Sequence, residues 1–135
     1  MSLDELRKQA KEAAQNAYAS FSQFKVGSAI LLDNGRVVTG CNIESDSLTF
    51  NICAERNAIS TALSQFGDVK IDTVVIYSDS EKPAAPCGVC RQMIFEFGHE
   101  AKVLSYGTGE EFIETTIQEL LPHAFDFNEY KNGSR

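Results

Sequence analysis

The chain has 135 residues, 43% of them hydrophobic, with a net charge of −7 and a sequence pI near 4.8. That size suits one domain, spanning 1–135, with a real core. The 12 Lys and Arg residues are scattered and form no run able to neutralise phosphates, which disfavours a nucleic-acid partner.

Leu3, Leu6, Ala10, Ala13, Ala14 and Ala17 recur at helical spacing, with Asp4, Glu5, Lys8, Lys11 and Glu12 between them, and predict an amphipathic helix over 3–18. Val26 to Leu32 and Arg36 to Gly40 flank Asp33-Asn34-Gly35, a hairpin signal because Asn and Gly tolerate positive φ. Residues 42–51 read as a polar, irregular loop, and 53–65 as a second helix with Ala54, Ala58, Ile59, Ala62 and Leu63 as its apolar stripe. Ile71 to Tyr77 is β-branched enough for a central strand. After a proline-bearing loop, a third helix starts near Cys87 and stops near Gly98. Residues 101–106 and 112–117 form a second hairpin-like pair, followed by a helical turn that Pro122 ends. This order predicts an α/β fold: a three-layer α-β-α sandwich around a mixed sheet of about five strands, with residues 128–135 as a flexible tail.

Four cysteines, no apolar run of membrane-spanning length and no apolar leader lead to the expectation of a reducing, cytoplasmic setting without a membrane partner. Cys87 and Cys90, two residues apart, allow two thiolates from one turn to grip a tetrahedral ion, and Cys53 can add a third. Three protein ligands leave the fourth zinc position open to water, the layout of a catalytic rather than a structural site. Disulfides, buried apolar cysteines and a redox Cys-x-x-Cys are the competing readings. Cys53 and Cys87 fall at predicted helix starts, where free N–H groups favour thiolate. Glu55, two residues past Cys53, can stand beside the metal's water without ligating, and so carry a proton. By itself it is equally an ordinary first-turn glutamate. Arg56 is either a surface arginine or a cation offsetting the thiolate charge. His99 and His123 lack partners at ligand spacing, and Cys41 reads as a small buried residue.

Cys53-Ala54-Glu55 with Pro86-Cys87-Gly88-Val89-Cys90 matches the known zinc-deaminase signature. Together with Phe24-Lys25-Val26-Gly27, Gly40-Cys41-Asn42-Ile43-Glu44 and Glu119-Leu120-Leu121-Pro122, it makes almost the whole chain resemble the small cytidine deaminases that act on free nucleosides. The resemblance implies hydrolysis of cytidine and deoxycytidine to uridine and deoxyuridine with release of ammonia, in pyrimidine salvage. It implies one Zn²⁺ per subunit on Cys53, Cys87 and Cys90, with Glu55 shuttling the proton as water adds to C4. It assigns substrate contacts to Phe24, Asn42, Glu44 and Ala54, and a supporting shell around the sulfurs to Arg56 and Gln92. It also implies a homotetramer in which Phe125, or its neighbour Phe127, reaches the adjacent subunit's site.

The chain departs from the family pattern at Phe21, usually tyrosine, at Ser45-Asp46-Ser47-Leu48, usually Asn-Ala-Ser-or-Cys-Tyr, and at Asn51. Drift in a loop that still binds cytidine is one reading; a pocket altered toward a cationic cytosine nucleoside such as blasticidin S is another. A non-catalytic zinc-binding module is the alternative from a different class.

Overall fold

A computed structural model describes residues 1–131. The elements are helix α1 (Leu3–Ala14), strands β1 (Val26–Leu32) and β2 (Val37–Cys41), helix α2 (Ala54–Phe66), strand β3 (Ile71–Ser78), helix α3 (Gly88–Phe97), strands β4 (Lys102–Tyr106) and β5 (Phe112–Thr116), and a short helix α4 (Ile117–Leu120). A 3-10 turn covers Phe127–Tyr130. Residues 132–135, the end of the tail expected to be flexible, lie outside the described residues.

The sheet order is β2-β1-β3-β4-β5, with β3 and β4 parallel and every other pair antiparallel. A parallel neighbour requires a crossover, and α3 supplies it. Strand alternation sends β1 side chains to two cores. Ala29 meets Leu6 and Ala10 of α1, together with Val75 and Leu104. Ile30 faces the opposite side, where Ala58, Ile59, Ile94 and Ile117 from α2, α3 and α4 pack on Val74, Ile76 and Val103. The result is the mixed, five-stranded α-β-α sandwich that the order of elements predicts.

Three local expectations change. Helix α1 is Ser2-capped and stops at Ala14, four residues early, because Tyr18 is drawn into pairing with the next loop. Tyr18 N donates to Asn42 O at 3.0 Å, and Glu44 N donates to Tyr18 O at 2.8 Å. The loop 42–51 is correspondingly less irregular than expected, since Ile43 bridges both Tyr18 and Ile52. In the β1–β2 turn only Gly35 takes a positive φ, at 88°. Asn34 contributes through its side chain instead, accepting from Arg36 N at 3.0 Å.

Helix α2 lies almost directly on β2. A Cβ at Gly40 would stand 2.5 Å from Ala58 N and 2.8 Å from Ala54 O, contacts that backbone cannot relieve. Replacing Gly40 by alanine is therefore expected to overpack this face and cost about 1–3 kcal/mol. Urea unfolding of the two proteins measures the difference, and an unchanged midpoint would contradict it.

Candidate active site

Two helices begin at one place. Cys53 is the N-cap residue of α2 and Cys87 that of α3, both in extended backbone, and neither side chain makes a capping hydrogen bond. Their sulfurs are left free while the helix ends present unpaired N–H groups. Cys90, in the first turn of α3, is fully buried. The Sγ atoms of Cys53 and Cys87 are 3.8 Å apart, those of Cys87 and Cys90 3.5 Å, and all three lie within 4.8 Å of one another. These separations far exceed a disulfide bond of about 2.05 Å. They approach the roughly 3.8 Å edge of a tetrahedron with Zn–S bonds of about 2.3 Å.

The electrostatics of the cluster suit a cation. The Cys53 thiol is pulled below its ordinary pKa, first by a hydrogen bond from Cys90 and then, against burial, by Arg56. Cys90 is pushed up by that same bond to Cys53 and by burial. Cys53 is thus favoured as a thiolate beside a Cys90 that resists becoming one, and a divalent cation that accepts thiolate donors would stabilise both. Zinc fits this donor set, with Cys53, Cys87 and Cys90 as its ligands. Among the described residues this is the one group of three or more His, Cys, Asp or Glu side chains placed to hold a metal.

Glu55 sits one step into α2 and is only 4% exposed. Burial pushes its carboxyl up to about 7, with the Cys53 charge adding to the effect. Arg56 turns back and donates from Nη2 to Cys53 Sγ at 3.6 Å, while its buried Nε has no partner among the described residues. Arg91, given no role from sequence, donates from Nε to Pro86 O at 2.7 Å and from Nη1 to Leu120 O at 2.9 Å. It thereby pins the start of α3 against α4. No local signal in the sequence points to either acceptor.

The sulfurs and Glu55 open into a cavity of about 300 Å³ walled by Phe24, Asn42, Glu44, Asn51, Ala54 and Ile76, among others. That is the lower end of the range for small-molecule sites. Asn42 and Glu44 do line it, but most of their hydrogen bonds go to the loop before β1. Asn42 Oδ1 accepts from Val26 N at 2.9 Å and its Nδ2 donates to Phe24 O at 2.8 Å. Glu44 Oε1 accepts from Phe21 N and Ser22 N at 3.0 and 2.8 Å. Gln92, expected near the ligand sulfurs, donates from Nε2 to Phe125 O at 3.0 Å and to Glu96 at 3.3 Å. Phe125 is 60% exposed and stacks on Phe127 and Tyr130. Asp46 and Leu48 lie in an exposed loop outside the cavity wall, where Asp46 accepts from Ser20 Oγ at 3.4 Å. Asn51 does reach the wall, and its Oδ1 accepts from Ser45 N at 2.5 Å. His99 stacks on Phe95, and Cys41 is half-buried and free, both apart from the sulfur cluster.

Residues 1–106 match the family model of the cytidine and deoxycytidylate deaminase zinc-binding region. A cytidine deaminase of Sporosarcina psychrophila is 39% identical over 127 residues, covering 93% of this chain and 92% of that protein. The crystal structure of cytidine deaminase from Burkholderia pseudomallei superposes with a TM-score of 0.87 at 35% identity, covering 93% of this chain and all of that one. A blasticidin-S deaminase of Bacillus cereus is 34% identical over 111 residues, covering 76% of this chain and 78% of its own length. That likeness is weaker in both identity and coverage. On motif, fold and similarity along almost its full length, the chain belongs to the cytidine deaminase family.

Proposed function

We propose that this protein is a zinc-dependent hydrolase that converts cytidine and deoxycytidine, with water, to uridine and deoxyuridine and ammonia. The observation that carries this reading is Glu55: a carboxyl 4% exposed, held at a helix start beside three convergent sulfurs and facing a cavity of nucleoside size. A purely structural zinc site has no need of a buried acid next to an open coordination position.

Zinc, when bound, supplies the Lewis acidity that makes water a nucleophile near neutral pH. The residues do the rest. Glu55 takes one proton from the water that adds to C4 and passes it to N3, then takes the proton left on the new C4 hydroxyl and delivers it to the departing amine, so one carboxyl serves as base and acid in turn. Its raised pKa suits both roles, since proton carriers work best with a pKa near the working pH. The N-termini of α2 and α3, together with Arg56, offset part of the thiolate charge that would otherwise weaken the metal. Phe24 forms an aromatic wall against the base, Asn42 and Glu44 meet sugar hydroxyls, and Ala54 offers backbone contacts. Gln92 holds the Phe125 segment. This assignment makes Cys53, Cys87, Cys90 and Glu55 the reacting end of the pocket, and Asn42 and Glu44 the sugar end.

The blasticidin-like reading is not favoured, because the likeness to the blasticidin-S deaminase is weaker in identity and coverage than that to the cytidine deaminase. We assign the protein to salvage of pyrimidine nucleosides in the cytoplasm; three sulfurs that must stay reduced to bind metal favour that compartment. Among the described residues no helix is long and apolar enough to cross a membrane. We further propose a homotetramer whose sites neighbouring subunits complete through Phe125. Support comes from the exposed apolar side chains Phe21, Phe50, Phe125 and Tyr130, each more than half exposed.

Glu55→Gln is expected to lower kcat for cytidine by about 10²–10⁴ while zinc content stays at the wild-type level. Ammonia release and metal analysis on one sample check both halves. Dialysis against a strong chelator should abolish turnover, and Zn²⁺ but not Mg²⁺ should restore it, because thiolate donors suit the softer ion. In solution the mass should come near four times 14.9 kDa, measured by size exclusion with light scattering, and Phe125→Ala should shift it downward or raise KM.

A further inference from the structure

Glu44 is engaged before any ligand arrives. Its Oε1 accepts from Phe21 N at 3.0 Å and Ser22 N at 2.8 Å, and its Oε2 accepts from Ser22 Oγ. A carboxylate offers about four lone-pair positions, so these contacts leave one open, on Oε2. Ser22 is more than a partner of Glu44. Its Oγ also accepts from Phe24 N at 3.0 Å. Phe24 is thus held on both sides, by Ser22 at its amide and by Asn42 Nδ2 at its carbonyl, at 2.8 Å. Between them the chain turns sharply, with Gln23 at φ 59° and its N–H donating to Ala19 O at 2.8 Å.

We propose that Ser22 is a positioning residue for the sugar end of the pocket: one hydroxyl, bonded at once to Glu44 and to the Phe24 amide, sets the free lone pair and the ring face that a nucleoside meets. This rests on the deaminase reading above.

The physical consequences of losing the hydroxyl are specific. Glu44 Oε2 would have two open positions instead of one, and the carboxylate would be fixed by Oε1 alone. Phe24 N would lose its acceptor in a loop whose left-handed residue already disfavours the turn. The Ser22 hydroxyl is the first of the contacts that hold the Glu44 carboxyl below its usual range, ahead of the Ser22 and Phe21 N–H groups, but an ordinary carboxyl is ionised at neutral pH without any of them. Charge at the sugar end would survive while its direction would not. The metal ligands and Glu55 sit at the starts of α2 and α3 and are held by contacts other than those of Ser22, so proton transfer should be spared. A defect in binding without one in chemistry is the expected signature.

The test is Ser22→Ala and Ser22→Thr in the full chain with zinc bound. For cytidine, Ser22→Ala should raise KM on the order of tenfold, the scale of one lost hydrogen bond to a charged group, with kcat within about twofold. The dissociation constant for uridine, measured by calorimetry, should rise in proportion, because product meets the same sugar contacts. Ser22→Thr, which keeps the hydroxyl, should return both constants close to wild type. Thermal midpoints of all three proteins should agree within a few degrees. An unchanged KM and uridine affinity, a fall in kcat at constant KM, or a threonine variant no better than alanine would each overturn the proposal. A wild type that turns over no cytosine nucleoside would refute the deaminase reading instead, and the uridine affinities would still decide the role of Ser22.

Discussion

Everything at the site depends on two helices starting within one sulfur–sulfur distance of each other. Cys53 and Cys87 occupy N-cap positions, where Ser, Thr, Asp or Asn would ordinarily accept from the helix's own N–H groups. A cysteine there caps poorly and leaves both helix ends short of a partner. The arrangement makes sense only if the helix ends and the sulfurs share a common charge problem that a cation and its thiolates resolve together. The sheet enforces the meeting. Strand β2 ends and β1 begins side by side, as Gly27 pairs with Cys41, and β3 ends against the same β1, as Val26 pairs with Ser78. The loops leaving β2 and β3 therefore emerge next to one another, and each delivers a helix start. Gly40 then sets how close α2 can lie, since any side chain there would strike the backbone of Ala54 and Ala58.

The same geometry separates two kinds of carboxylate. Glu55 is buried at the end of the pocket with sulfur chemistry and is pushed toward neutrality; Glu44 is at the open end and is held ionised by hydrogen bonds from Phe21 and Ser22. In the proposed reaction one group exchanges a proton and the other keeps accepting hydrogen bonds. Burial accomplishes the first and a cradle of N–H and O–H donors the second. A chain with net charge −7 would otherwise make a further anion in a cluster of thiolates costly. Arg56, leaning on Cys53, is the nearby cation that eases it.

Much of this was legible in residue order because the signals are local. Apolar spacing places α1, α2 and α3, the Asn34-Gly35 pair places the first hairpin, and Cys-Ala-Glu with Pro-Cys-x-x-Cys marks a metal site and the buried carboxyl proposed as its proton carrier. What escaped is non-local. The end of α1 is decided by Tyr18 pairing with Asn42 and Glu44, more than twenty residues on, and no helical periodicity records that. Ser22 and Arg91 were invisible as functional residues for the same reason: their partners are Glu44, Pro86 and Leu120, reached only through the fold. Family resemblance marked Asn42 and Glu44 as pocket residues, and they do line the cavity, yet their structural work in anchoring the Phe24 loop was not legible.

That dual use has a consequence for how the pocket tolerates change. Phe24, Asn42 and Glu44 form one hydrogen-bonded unit with the 20–24 loop, so altering any of them moves the others. The loop 45–51 is stitched largely to itself, through Ser45, Ser47, Thr49 and Asn51. One side-chain contact, Asp46 accepting from Ser20 Oγ at 3.4 Å, joins it to the 20–24 loop. Three departures from the family pattern, Asp46, Leu48 and Asn51, fall in that loop; a fourth, Phe21, falls in the coupled 20–24 segment, where it holds Glu44 through its backbone N–H and not its ring. Changes at Asp46 and Leu48 therefore leave intact the bonds that hold Phe24, Asn42 and Glu44, because none of those bonds runs through either residue.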